Sequence, residues 1–135
     1  MQALPNTNMN SYGGSQDYPH NSPDMTFMVP FPQSGTFYVC VSGLGGTVDD
    51  DSLHVGIDDN GDGIADAVTG LDMMSIWHLG SWQWVNLRST GGGGSAYASV
   101  PVSGNEAFHR LRIWMREDGI KVERVILSTS TSCPP

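Results

Sequence analysis

The stretch from His109 to Thr129, H-R-L-R-I-W-M-R-E-D-G-I-K-V-E-R-V-I-L-S-T, constrains the fold of this chain more than any other. Leu111, Ile113 and Met115 alternate with Arg110, Arg112 and Trp114, which is the period of a half-buried strand. Arg116-Glu117-Asp118-Gly119 follows, and Asp-Gly favours a tight reversal because Gly takes positive φ at no steric cost. Ile120, Val122, Val125, Ile126 and Leu127 then give a strand with β-branched weight. The pattern predicts a closing hairpin whose turn, Arg116 to Asp118, is solvated and mutually paired.

The rest of the chain reads in the same way. Its 135 residues suit one domain with a single core. Charged residues make up only 15% and glycines number 17, a profile of strands joined by tight turns. Met25–Val29, Thr36–Ser42 and Asp51–Ile57 alternate as strands, and Pro30, Pro32 and Gly35 punctuate the first two. Ile76–His78, Trp82–Arg88 and Ala96–Val102 read as further strands, and Gly91–Gly94 is too flexible for regular structure. No helical period is found. The expectation is all-β, an antiparallel β-sandwich of jelly-roll type, with 1–24 an irregular N-terminal segment, 25–130 the sandwich and 131–135 a tail.

Charge narrows the partners. The formal charge is −8 with six Lys plus Arg, so a phosphate backbone is repelled and nucleic acid is not expected. No apolar run has the length of a membrane span, and residues 1–24 lack the basic-then-apolar order of a secretory signal. Three expectations stay open: a removed signal, a piece of a longer chain, or a protein that stays inside. Cys40 lies in the apolar strand Phe37–Val41 and Cys133 in the tail. Two unpaired thiols are the expectation, with a disulfide as the alternative.

Several phrases together carry a resemblance. Pro32-Gln33-Ser34-Gly35-Thr36-Phe37-Tyr38-Val39-Cys40-Val41-Ser42 is similar to P-x-x-G-x-Y-x-x-x-V-R, Asp50 to Asp58 to D-D-S-x-H-V-G-x-D, and Gly80-Ser81-Trp82-Gln83-Trp84 to G-x-W-x-x-W or W-x-W. With I-W-M-R-E-D-G and V-E-R-V-I-L, these span roughly 24–130. The chain thus resembles the galactose-binding-like, family-six-type carbohydrate-binding modules appended to secreted polysaccharide-degrading enzymes. The resemblance implies an extracellular, non-catalytic module that recognises a polysaccharide or oligosaccharide. It implies that Trp84 stacks on a sugar ring, with Tyr18 as the opposing wall. Lys121 stands where the family has a hydrogen-bonding Asn, a departure that bears on ligand identity. The family's first strand, with an E-A-E phrase, has no match here. Glu123, which matches a second carboxylate of the family's metal site, is therefore expected to lack its ligand partners.

Two constellations can be read from the residues themselves. In Trp82–Arg88, Trp82, Trp84, Asn86 and Arg88 share one strand face, opposite Val85 and Leu87. Two indoles beside an amide and a guanidinium offer an apolar platform for a pyranose and groups for its hydroxyls. Core packing competes with this assignment evenly for Trp82 and less for Trp84, whereas Trp114 is expected in the core. The second constellation is Asp58-Asp59-Asn60-Gly61-Asp62-Gly63-Ile64-Ala65-Asp66, which fits D-x-N-x-D-G-x-x-D. Asp58, Asn60, Asp62, the Ile64 carbonyl and Asp66 could supply hard oxygens to a structural calcium ion, with Gly63 allowing the fold-back. Thr69 stands where an EF-hand has its bidentate Glu, and the competing reading is an acidic Asx/Gly turn.

No catalytic set emerges: there is no G-x-S-x-G and no H-E-x-x-H, and the carboxylates cluster in the Asp49–Asp51 and Asp58–Asp66 loops. The alternative to a sugar-binding module is a structural or protein-interaction sandwich that has lost sugar binding. A missing first strand would expose a sheet edge, which Met1–Tyr12 could cover as a monomer or which could pair in a homodimer.

Overall fold

The structure is a computed structural model that describes residues 22–47, 50–63, 65–66, 72–75, 80–89, 94–103 and 108–134. The strands among them are β1 (Asp24–Val29), β2 (Gly35–Leu44), β3 (Ser52–Ile57), β4 (Asp72–Ser75), β5 (Gln83–Val85), β6 (Leu87–Ser89), β7 (Ser95–Tyr97), β8 (Ser99–Val102), β9 (His109–Met115) and β10 (Lys121–Ser128). They form two antiparallel sheets packed together, as in a β-sandwich. One runs β1-β9-β3-β4-β6-β7, the other β10-β2-β5 with β8 also pairing β2. β10 takes one side of β2, while β8 pairs with Gly35–Tyr38 and β5 with Val41–Gly43. No helix among the described residues is long and apolar enough to cross a membrane.

Alternation decides what lies between the layers. Phe37, Val39 and Val41 of β2 meet Leu53, Val55 and Ile57 of β3 and Leu111 and Ile113 of β9 in one buried cluster. Each such apolar side chain taken from water is worth about 1.5–3 kcal/mol, which fixes the register because a one-residue slip would turn the whole row outward. Trp114 is buried, as expected, but outside this cluster. It pairs with His54 on the outward face of the six-stranded sheet. Its ring lies over Gly56, where an added Cβ would come within 2.9 Å of the Ala65 side chain and 3.3 Å of the indole.

Three expectations are corrected. Gly119 has the positive φ the Asp-Gly turn requires, 94°, yet β9 and β10 do not form a hairpin. β9 pairs with β1 and β3, and β10 pairs with β2 in the other sheet. The linking residues cross between layers, and Ile120 is buried in the core on the way. The turn is not solvated either, since Glu117 and Asp118 are buried. Finally, Cys40 and Cys133 are joined in a disulfide with Cα atoms 5.6 Å apart, so the tail is bonded to β2.

The segments read as Trp82–Arg88 and Ala96–Val102 each break once, at Asn86 and Ala98, and pass from one sheet to the other. The breaks are stitched together: Ala98 N–H donates to the Asn86 carbonyl at 2.8 Å, and Val39 N–H to the Ala98 carbonyl at 2.9 Å. Residues 76–78, read as a strand, lie outside the described residues, as does the Met1–Tyr12 segment.

Candidate functional site

The outward face of the four-stranded sheet gathers most of the residues singled out for sugar binding. Val85 and Val125 both pair with Val41 and pack against the core, so their neighbours face away from it. Trp84 lies opposite Ser42, which lies opposite Arg124 on its other side. Lys121 is opposite Leu44 in the next outward row. A register shift between Val122 and Arg124 inserts Glu123, whose Oε2 accepts from Ser42 Oγ at 3.1 Å. Trp84 is half-buried, and Trp82, just before β5, is 48% exposed. Two indoles, a hydroxyl, a carboxylate and two cations thus share one face.

Asn86 plays a different part. As the break residue it donates from Nδ2 to the Thr131 carbonyl at 2.6 Å, which commits that N–H to the C-terminal tail. Beyond the break Leu87 is 42% exposed rather than core, so the face shared from Trp82 to Arg88 ends at Asn86. Tyr18 lies outside the described residues. Ser42, Glu123 and Arg124 were not singled out for this face by sequence. Their signal was the alternation of β2, which turns Ser42 away from the core.

The acidic loop packs on the opposite side of the molecule, over the outward face of the six-stranded sheet. Asp58 is fully buried. Gly61 N–H donates to its Oδ1 at 2.8 Å and Gly63 N–H to its Oδ2 at 3.1 Å, with Gly61 and Gly63 at positive φ. Arg112 Nε comes within 2.7 Å of Asp58 Oδ2, aimed off the hydrogen-bond line, while its Nη1 donates to Asp24 at 3.0 Å. Asp66 Oδ2 accepts from the N–H groups of Asp59 and Asn60. Asn60 Nδ2 donates to Asp62 Oδ2 at 3.1 Å. Asp59 Oδ2 lies 2.5 Å from His109 Nδ1, and its Oδ1 accepts from Arg110 N–H at 2.9 Å. The loop makes the predicted fold-back, and its carboxylates meet backbone N–H groups and basic side chains of β9. Among the described residues no three acidic, His or Cys side chains are arranged to hold a metal. Ile64 lies outside them.

A third polar group joins β3 to the end of β9. Glu117 Oε2 accepts from Asp51 N–H at 3.0 Å and from Ser52 Oγ at 2.6 Å, and Arg116 pairs with Glu117 and donates to Ser52 Oγ at 2.5 Å. Burial, then the charge of Glu117 and a hydrogen bond with it, push the Asp51 carboxyl up to about 6; Arg116 and Ser52 pull weakly the other way.

No family model matches the chain, and no solved structure does. It is similar to a protein of Formosa agariphila named uncharacterized protein P23, with 26% identity over 111 residues. The match covers 82% of this chain and 26% of that protein, so the chain spans about a quarter of the relative's length.

Proposed function

We propose that the chain is a non-catalytic carbohydrate-binding module of galactose-binding-like, jelly-roll type, working outside the cell. One observation carries the reading. Trp84 is half-buried on an outward sheet face, in a row with Ser42 and Arg124 and next to the row of Lys121. An indole held by its strand offers an apolar surface to the C–H face of a pyranose, and the exposed carboxylate of Glu123 and the cations of Arg124 and Lys121 suit its hydroxyls, while Ser42 is buried and holds Glu123 in place. The order of family-like phrases along the sequence supports the same reading. The disulfide supports an oxidising compartment, where such bonds persist. We also propose structural calcium for the Asp58–Asp66 loop, on the spacing of its oxygens and the fold-back at Gly63.

The test is native affinity electrophoresis through gels cast with neutral and acidic polysaccharides. Wild type is expected to be retarded by at least one glycan. Trp84→Ala should weaken that retention roughly 30-fold, the loss of a central aromatic anchor worth about 2 kcal/mol, with its melting temperature little changed. Equal retention of Trp84→Ala and wild type would remove Trp84 from the site. Failure of every glycan to retard wild type would favour the second reading, a structural or protein-interaction sandwich. That reading is favoured by the bond from Asn86 to Thr131, which spends a proposed sugar-binding amide on the chain's own tail.

A further inference from the structure

Six Lys and Arg residues serve the whole chain, and their placement is uneven. Arg110 donates to the Asp59 carbonyl at 2.7 Å, Arg112 donates to Asp24 at 3.0 Å, and Arg116 pairs with buried Glu117. Arg88, also partnered, stands in β6 of the six-stranded sheet. The other two, Lys121 and Arg124, are both on the outward face of the four-stranded sheet, and register sets them in two parallel rows. One row runs Arg124, Ser42, Trp84 across β10, β2 and β5. The next begins with Lys121 and Leu44, and Trp82, two residues ahead of Trp84, flanks it beyond the start of β5. Neighbouring strands lie about 4.8 Å apart, so cation and indole in a row are about 10 Å apart at the backbone. Only buried Ser42 and half-buried Leu44 lie between them. The result is a trough with one aromatic and one cationic wall. Cys40, in the following outward row, is fully buried and bonded to Cys133, so the tail closes that end.

We propose that the sugars recognised on this face are anionic, pyranoses that carry a carboxylate or a sulfate ester. The inference rests on the sugar-binding reading above and names the class of ligand for the same site. The ring stacks on Trp84 or Trp82, and its anionic group meets Arg124 or Lys121, whose long stems cross the trough. A guanidinium offers two parallel N–H donors to a carboxylate or sulfate, and such charge-assisted bonds are about twice as strong as neutral ones. Arg124 is available for this. It is 66% exposed, and its one printed carboxylate neighbour, Glu123, is 49% exposed and 3.8 Å away, an ion pair too wet to hold it strongly. Glu123 is held through its other oxygen by Ser42 and is left to accept from sugar hydroxyls. The formal charge of −8 does not oppose this local arrangement. The acidic Asp58–Asp66 loop packs against β9 of the other sheet, and at physiological salt fields fade over about 8 Å. A polymer in contact with the trough therefore meets the two cations.

Isothermal titration calorimetry tests this on the full chain with two pairs of polymers: a polyuronate beside its carboxyl-reduced form, and a sulfated polysaccharide beside its desulfated form. In at least one pair the charged polymer is expected to bind roughly tenfold more tightly than the neutral one, with the gap shrinking as salt is raised. The pair that shows the gap tells carboxylate from sulfate. Arg124→Gln and Lys121→Gln should each weaken binding of the charged polymer about tenfold, and Trp84→Ala should weaken it as well, with melting temperatures reporting intact folds. Equal affinity for the charged and neutral members of both pairs would overturn the proposal and leave sugar binding in place. Charged-polymer binding that survives Trp84→Ala, or that ignores both cation variants, would also overturn it. If wild type binds no glycan, charged or neutral, the sugar-binding reading itself falls, and this inference with it.

Discussion

A buried carboxyl group beside another carboxyl group stabilises the fold or strains it according to its proton, and Asp51 is such a residue. It is 9% exposed, next to Glu117, with a carboxyl pushed up to about 6 from an ordinary value of 3.8. Between those values the folded chain keeps a proton that the unfolded chain has released, so stability falls as pH rises through that window and stays reduced above it. Asp51→Asn removes the ionisation and retains a donor toward Glu117. The variant is therefore expected to match wild type near pH 4 and to exceed it above pH 6, by on the order of 2 kcal/mol or several degrees of melting temperature. Thermal unfolding from pH 4 to 8 checks this, and parallel curves for the two proteins would remove Asp51 as the cause. Sequence pattern could not locate this group. Asp51 and Glu117 lie 66 positions apart, and only the pairing of β3 with β9 brings them together.

Elements were legible where one physical signal decides them. The alternation in β2, β3 and β9 marks which row faces the other sheet, although in β3 the outward residues Ser52 and His54 are buried as well. Partnership between strands was less legible. Asp118-Gly119 reverses the chain as its chemistry demands, but turn chemistry says nothing about which sheet the next strand joins, and burial of Ile120 draws the link through the core. Likewise the run from Trp82 to Arg88 keeps its alternation in sequence while the chain changes sheets at Asn86, so the alternation holds for Trp84 and Val85 but not for Leu87, read as core and found 42% exposed. For the Asp58–Asp66 loop, sequence showed the oxygens but not the cations of β9 that face them. A calcium ion there has to compete with Arg112 for Asp58. The expected outcome is a higher melting temperature in calcium than in EDTA, with about 2.7 kcal/mol gained at a hundredfold excess over Kd. Equal melting temperatures would leave a turn held by its own N–H groups, Arg112 and His109.

At the scale of the whole molecule, the disulfide ties the last described residues back to the central strand of the four-stranded sheet. Cys40 and Cys133 are 93 positions apart, so the closed ring takes in β3 to β10. Its sequence signal was weak because two cysteines so far apart make no framework, and Cys40 sits in an apolar strand where a free thiol is equally at home. Closing a ring of this length removes unfolded-chain entropy worth about 4–5 kcal/mol in the chain-entropy model, and native disulfides typically contribute about 2–5 kcal/mol. Cys40→Ser/Cys133→Ser is therefore expected to lose about 2–5 kcal/mol of stability in urea unfolding, and wild type should fall to a similar level under a reducing agent. The same bond positions the tail whose Thr131 carbonyl takes the Asn86 amide, at the point where the chain changes sheets. Losing the bond should thus loosen that crossing first, seen as faster amide exchange at Asn86 and Ala98 than at Val55. Unchanged stability in the double Ser variant, or free thiols in the unreduced, denatured protein, would show that the ring does not hold the molecule together.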